Sequence, residues 1–327
     1  MVILSVRVEA QEHVTLRTDV MLYGDNTEFH NPFREGETIF GSALRLAADI
    51  DLAAHVTLSL GGFGNLRFGS EKAFEQGRPI VALTARGQHS TFVFGTLPPV
   101  QLAVPTGPDR MGPHGLLPPI QRETLTFDRP YEAGLEWTLR TSPLRHSLWL
   151  SWQRLNTPQH RERFDTGLEG EVRLVRLVSL PFQAHVVHQG GQLFASGPVA
   201  DSGAVAGGVM IGGPFRRLDK GTIELYGLGS RFVPDRSRPD LSRDGVGFFG
   251  RAAAELDGWR GHILFWRGRN FIAEEGDPNY QSVTLAGARY RGTRDYAEAG
   301  LARSFRLAPG AVFEVSGRLH RTEGYYE

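Results

Sequence analysis

The sequence predicts a single all-β domain spanning residues 1–327, an antiparallel up-and-down transmembrane β-barrel of about 16 strands, within a range of about 14–18. Three observations carry that reading. Stretches of about 10 residues alternate between apolar and polar side chains with a period of two, as half-buried strands do. Short turns and long polar connections follow one another in strict alternation, which suits a barrel with turns on one membrane side and loops on the other. Finally, the chain has 40 glycines and 10% aromatic residues, yet no run of 18 apolar residues. A transmembrane helix is therefore excluded, whereas a barrel is not.

Residues 1–10 end in Val8-Glu9-Ala10 before Gln11, which has the character of a signal-peptide remnant or of a plain strand-forming N-terminus. The first clear strand, HVTLRTDVML, sets Val14, Leu16, Val20 and Leu22 against His13, Thr15, Arg17 and Asp19. From Phe40 to Phe68, Leu44, Leu46, Leu58, Leu60 and Leu66 stay in phase, opposed by Arg45, Asp49, Ser59 and Arg67, with a turn near Asp51 to Ala54. YEAGLEWTLRTSPLRHSLWLSW is a hairpin: Leu135, Trp137, Leu139, Leu144, His146, Leu148, Leu150 and Trp152 share one face. Glu132, Glu136, Arg140, Arg145, Ser147 and Trp149 share the other.

Further short turns are expected near residues 88, 143, 180, 219, 257 and 308, and long connections at 24–38, 69–79, 98–130, 154–163, 190–203, 229–245 and 268–281. Counting through these turns gives fifteen strands, the last being 311–320. Single-chain bacterial barrels close with an even number. Either 281–291, QSVTLAGARYR, supplies another strand, or the last strand is missing from the chain; the second is expected, leaving 14–22 and 311–320 as open edges.

If the apolar face meets lipid, the polar face lines a wet lumen. The expected pore-lining residues are Arg17, Asp19, Arg45, Asp49, Arg67, Glu132, Glu136, Arg140, Arg145, Asp165, Glu169, Glu171, Arg173, Arg251, Glu255, Glu298, Glu314 and Arg318. The segment 98–130 carries 8 of the 19 prolines and can form neither a regular helix nor a sheet. Folded inward, it makes a constriction loop offering Asp109, Arg110, His114, Arg122 and Glu123. Aromatics toward the strand ends, among them Phe40, Phe68, Trp152, Phe164 and Trp259, fit interfacial girdles.

STFVFGTLPP with the long loop after it, RERFDTGLEGEVRL and NYQSVTLAGARYRG together resemble the porin-like outer-membrane barrels of Gram-negative bacteria, and more weakly the alginate- or polysaccharide-export barrels. The chain departs from that pattern at HRTEGYYE, where a terminal aromatic is usual. The resemblance implies a bacterial outer-membrane location, with membrane lipid, small polar or anionic solutes and the barrel-assembly machinery as partners.

Composition narrows the chemistry. A formal net charge of zero gives no footprint for nucleic acid. With no cysteine, disulfides and thiol catalysis are excluded. The 11 histidines show no His-x-His or His-x3-His spacing, so no metal or other cofactor is expected. Gln88-His89-Ser90 and Arg145-His146-Ser147 place His and Ser side by side, where strand neighbours point to opposite faces. The chain is thus expected to be no enzyme but a passive pore for small polar or anionic solutes. Export of an acidic polysaccharide and a secreted soluble β-sandwich binding module are the alternatives, with an outer-membrane hydrolase a fainter fourth.

Overall fold

The computed structural model describes residues 1–11, 13–98, 112–215, 218–284 and 292–326. Its strands in chain order are β1 (Val2–Gln11), β2 (Val14–His30), β3 (Glu35–Ala53), β4 (Val56–Arg67), β5 (Gln76–Arg86), β6 (Ser90–Thr96), β7 (Ala133–Arg140), β8 (Leu144–Arg154), β9 (Glu162–Val175) and β10 (Val178–Gly190). They continue with β11 (Ala200–Phe215), β12 (Leu218–Val233), β13 (Arg243–Leu256), β14 (Trp259–Arg269), β15 (Thr293–Ala308) and β16 (Ala311–Thr322), followed by a two-residue ladder, β17 (Tyr325–Tyr326). Each of β1 to β16 pairs antiparallel with its sequence neighbours. A short helix, α1 (Leu125–Asp128), lies in the connection between β6 and β7.

The two-residue period decides which side chains meet which solvent. Leu16, Leu46, Leu60, Phe94, Leu135, Trp137, Val205, Ile223, Ile263 and Leu301 project from the wall and are exposed, whereas Asp19, Arg45, Ser59, Glu136, Asp165, His262 and Glu298 point inward and are buried. A sheet with its apolar face outside and its charges inside is stable only with lipid around it.

The hairpins near residues 54, 88, 142, 257 and 309 fall where the sequence places them. Two do not. The β9–β10 hairpin turns at Arg176-Leu177, and Pro181 lies inside β10 opposite Glu171. Proline lacks a single ladder donor, and Leu180 and Phe182 hold the phase on either side of it. Residues 218–221 likewise belong to β12. The long connection expected at 24–38 is largely strand, because β2 and β3 extend past the apolar band. Only 31–34 turn, with the Asn31 Oδ1 accepting from the backbone N–H groups of Phe33 at 2.9 Å and Arg34 at 3.0 Å.

The two edges expected to be open, 14–22 and 311–320, have β1 between them. β1 pairs with β2 along its length but with β16 over only Val2–Phe313, Ile3–Val312 and Leu4–Ala311. Above Val2 the barrel is therefore unsealed, and Asp25, Thr27, Ser316, Arg318 and His320 line the seam. Of the segment 281–291, residues from 285 onward lie outside the described residues.

Candidate functional site

The described parts of two connections fold into the lumen and pack there, 112–132 between β6 and β7 and 270–284 between β14 and β15. In the β6–β7 connection, Leu116, Leu117 and Ile120 are fully buried. They pack in one apolar cluster with Trp149 and Trp266 from the wall and with Phe271 and Tyr280 from the β14–β15 connection. The loops also bond to each other: Arg122 N donates to Glu275 O at 2.7 Å and Asp277 N to Pro118 O at 2.9 Å. Gln281 Nε2 donates to Pro119 O at 2.9 Å.

Charge fastens this stopper to the wall. Arg129 reaches Glu275 at 2.7 Å and Asp165 on β9 at 2.9 Å, and Arg163 on β9 reaches Glu275 at 3.0 Å. Elsewhere Arg67 of β4 holds Asp128 at 2.8 Å, Arg318 of β16 holds Glu123 at 2.5 Å, and Arg34 holds Asp277 at 2.5 Å. Burial alone would raise the Glu275 carboxyl, but the Arg129 guanidinium, His185 and Arg163 hold it well below the ordinary range.

His114 lies flat on Trp149, with ring centroids 3.9 Å apart, and its Nε2 meets Glu132 at 2.6 Å. Burial opposes charge on both groups, yet their attraction prevails: His114 is raised and Glu132 lowered. The His114 contribution to stability is complete below the ordinary histidine value, about 6.5, and fades as pH rises through the raised folded value. That of Glu132 is complete above about 4.3 and fades as pH falls through the depressed one. Amide exchange over 112–128, corrected for intrinsic rate, is therefore expected to be slowest between about pH 4.5 and 6.5 and to quicken on the alkaline side. A flat profile across pH 5–9 by mass spectrometry would contradict this.

Most of the expected lumen residues face inward and form closed pairs with short-range partners. Arg17 lies 3.6 Å from Asp19 and 3.5 Å from Asp49, Arg45 donates to Leu97 O at 2.9 Å, and Glu136 accepts from Ser147 Oγ at 3.0 Å. Glu298 meets His262 and Tyr296, each at 2.7 Å, while Glu314 pairs with Arg260. Glu255 lies 3.9 Å from Lys220, and Arg140 is exposed near the β7–β8 turn. Arg145, Glu169, Glu171, Arg173 and Arg251 come together around a cavity of about 560 Å³ on the short-turn side, with Gly115 of the stopper also in its lining. Of the expected constriction residues, His114, Arg122 and Glu123 belong to the stopper, whereas Asp109 and Arg110 lie outside the described residues.

A second polar cluster sits on the outside of the wall. His188 shares the outward phase of β10 with Val186, and Asp201 lies opposite it on β11. The His188 Nδ1 meets Asp201 Oδ1 at 2.7 Å, and Arg236 donates to both Asp201 oxygens at 2.5 and 2.8 Å. The backbone of Arg236 is itself bonded to Val199 O at 2.8 Å. Phe164, with Trp152 beside it, packs against the His188 ring at 5.0 Å. His188, Arg236, Leu193 and Val199 border a cleft of about 630 Å³. The loop over it is pinned by Asn156, which donates to Gly190 O and Phe194 O, and by Arg161, which donates to Gly191 O and Gly197 O.

The family profile described as lipid A 3'-O-deacylase-type matches residues 6–323, nearly the whole chain. The chain belongs to this family. Among curated proteins none matches it. Solved structures share its fold: the outer-membrane protein OpdK from Pseudomonas aeruginosa has a TM-score of 0.53 at 12% identity, covering 96% of this chain and 95% of that one. Outer-membrane expressed OmpT of Vibrio cholerae has a TM-score of 0.54 at 9% identity, covering 96% and 89%. Pseudomonas aeruginosa OccK2 (OpdF), solved in complex with glucuronate, has a TM-score of 0.51 at 12% identity, covering 95% and 92%. The porin-like architecture expected from the sequence is thus shown.

Membership in the deacylase-type family overturns the expectation that the chain is no enzyme. That expectation rested on motifs contiguous in sequence. His188 and Asp201 are 13 residues apart and become neighbours only through the register of β10 with β11. The available signal was one of phase: both polar residues fall where lipid-facing side chains belong.

Proposed function

We propose that this barrel is an outer-membrane acyl hydrolase that removes one ester-linked fatty acyl chain from a lipid A-type glycolipid of the outer leaflet. The position of the His188–Asp201 pair supports this reading. His188 stands ten residues along β10 from Val178. At about 3.3 Å per residue and a tilt of about 40°, that height is about 25 Å, the outer rim of the apolar band, where acyl esters join headgroups.

In this mechanism Asp201 accepts the Nδ1–H of His188, which leaves Nε2 as the base. Nε2 takes a proton from water while the water oxygen attacks the ester carbonyl carbon. The bond from that carbon to the sugar oxygen then breaks, and His188 returns the proton to the departing oxygen. One water is consumed, and one fatty acid and one sugar hydroxyl are formed. Leu193, Val199 and Phe164 give the acyl chain an apolar bed beside the base, while Arg236 fixes Asp201.

The test is the wild-type protein folded into vesicles containing lipid A, followed by mass spectrometry. Loss of one acyl chain with appearance of a free fatty acid is expected; intact lipid A after prolonged incubation would overturn the reading. A Cβ on Gly190 would lie 2.2 Å from the His188 Nε2. Gly190→Ala therefore displaces the imidazole and is expected to slow deacylation by about 10- to 100-fold, since ångström-scale misplacement of a catalytic group has that effect. Unchanged turnover by a folded Gly190→Ala variant would remove His188 from the mechanism.

The vestibule supports a second reading. A cavity of about 560 Å³ lined by Arg145, Arg173, Arg251, Glu169 and Glu171 opens toward the short-turn side, as the entrance of a pore for small polar or anionic solutes would.

A further inference from the structure

The geometry points to a divalent-cation site between the lumen wall and the β14–β15 connection, with Asp165, His185 and Glu275 as ligands to a zinc-type ion. It is independent of both readings above. Each of the three residues offers one ligand atom, and these atoms all lie within 4.8 Å of one another. His185 Nε2 stands 3.6 Å from Asp165 Oδ2 and 3.7 Å from Glu275 Oε2. Those spacings are too long for a hydrogen bond, whereas an ion about 2.1 Å from each ligand sets its ligands about 3.4 Å apart. All three side chains are buried, at 0%, 3% and 5% exposure for Asp165, His185 and Glu275. Even so, His185 Nε2 and Asp165 Oδ1 have no hydrogen-bond partner among the described residues. A buried polar atom without a partner is costly, and a cation bound to both removes that cost.

The fold gathers these ligands from separate elements. On the β9–β10 ladder Asp165 pairs with Val187 and His185 with Gly167, so Asp165 and His185 are diagonal neighbours on the lumen face. Glu275 reaches them from the connection after β14. Its Oε1 accepts from Arg129 Nη1 at 2.7 Å, Arg163 Nη2 at 3.0 Å and Gln153 Nε2 at 3.2 Å. Its Oε2 accepts from Arg129 Nη2 at 3.0 Å. Three donors on one oxygen fix the carboxylate and leave the other for the ion, the role that outer partners of metal ligands play. Arg129 Nη2 also reaches Asp165 Oδ2 at 2.9 Å, so Oδ1 is the oxygen of Asp165 left without a donor. Asp165, Glu274 and Glu275 outnumber the guanidiniums of Arg129 and Arg163 that bind them, which leaves negative charge for a cation to match. Glu274, with its side chain 25% exposed, is the solvent-facing carboxylate through which the ion enters. One imidazole nitrogen and two carboxylates suit zinc or a neighbouring first-row ion; calcium prefers about six to eight oxygens.

Metal analysis of the folded barrel tests the site. Wild-type protein, stripped with a chelator and equilibrated with zinc in the presence of excess calcium, is expected to retain one zinc per chain. His185→Gln is expected to weaken zinc binding at least about 10-fold, since the loss of a mere orienting partner already costs a metal site that much. Should His185→Gln fail to give a heat-modifiable barrel, Glu275→Gln takes its place. His188→Gln, which alters a histidine on the outside of the wall, is expected to bind zinc as the wild type does. Zinc is also expected to slow amide exchange over 270–284 at least about 10-fold in wild type and to leave it unchanged in the His185 or Glu275 variant, because the ion ties that segment to β9 and β10. Three results would overturn the site: a wild type that retains no zinc, a folded His185 or Glu275 variant that binds it as tightly as wild type, or zinc binding that disappears with His188 instead.

Discussion

His188→Gln is expected to lower deacylation of lipid A by about 10²- to 10⁴-fold, the range over which a positioned general base contributes. The amide fills a similar space and can still hydrogen-bond to Asp201, but it cannot take a proton from water. The barrel should therefore keep its heat-modifiable mobility while turnover disappears. Asp201→Asn is expected to follow it closely for a separate reason. The carboxylate accepts from Nδ1 at 2.7 Å and so keeps the lone pair on Nε2; an amide nitrogen in that place donates to Nδ1 and turns the base away from substrate. Arg236→Gln should cost less, about 3- to 10-fold, because it orients Asp201 without touching the reacting atoms. A His188→Gln barrel as active as wild type would move the chemistry elsewhere. Loss in Asp201→Asn alone would leave the pair a purely structural contact.

The barrel was legible in the sequence because lipid on one side and polar groups on the other impose a two-residue period on every strand. Leu135 and Glu136, or Leu46 and Arg45, could be assigned to faces without any contact being known. Two kinds of information were not periodic. The stopper depends on large side chains placed on the polar phase, such as Trp149 and Trp266, which fill a lumen instead of facing water. Trp149 was visible as an aromatic among Arg145, Ser147 and Ser151, but its partner His114 lies in a proline-rich loop where periodicity says nothing. The outer cluster depends on strand register, which the turn position fixes. With the β9–β10 turn placed three or four residues late, the neighbours of His188 could not be read from the chain.

Ile263→Arg is expected to destabilise the folded barrel in bilayers by about 2–4 kcal/mol, whereas Leu256→Arg should cost about 0–1 kcal/mol. Both side chains point outward, at 62% and 51% exposure. They differ in depth. Leu256 is the last residue of β13 before the short turn, while Ile263 stands four residues into β14 from Trp259. Measured from that turn, the rise is about 10–13 Å for a tilted strand, near the middle of an apolar band about 25 Å tall. Its ladder neighbours Ala252 and Ala299 are too small to screen a guanidinium from the acyl chains. At the turn, in contrast, an arginine can reach the headgroups along its own stem. Equilibrium unfolding in urea, with the barrels in thin-bilayer vesicles, measures both costs directly. Equal costs at the two depths would mean that this face does not meet lipid, and the outward placement of His188 at the rim of the band would lose its meaning with it.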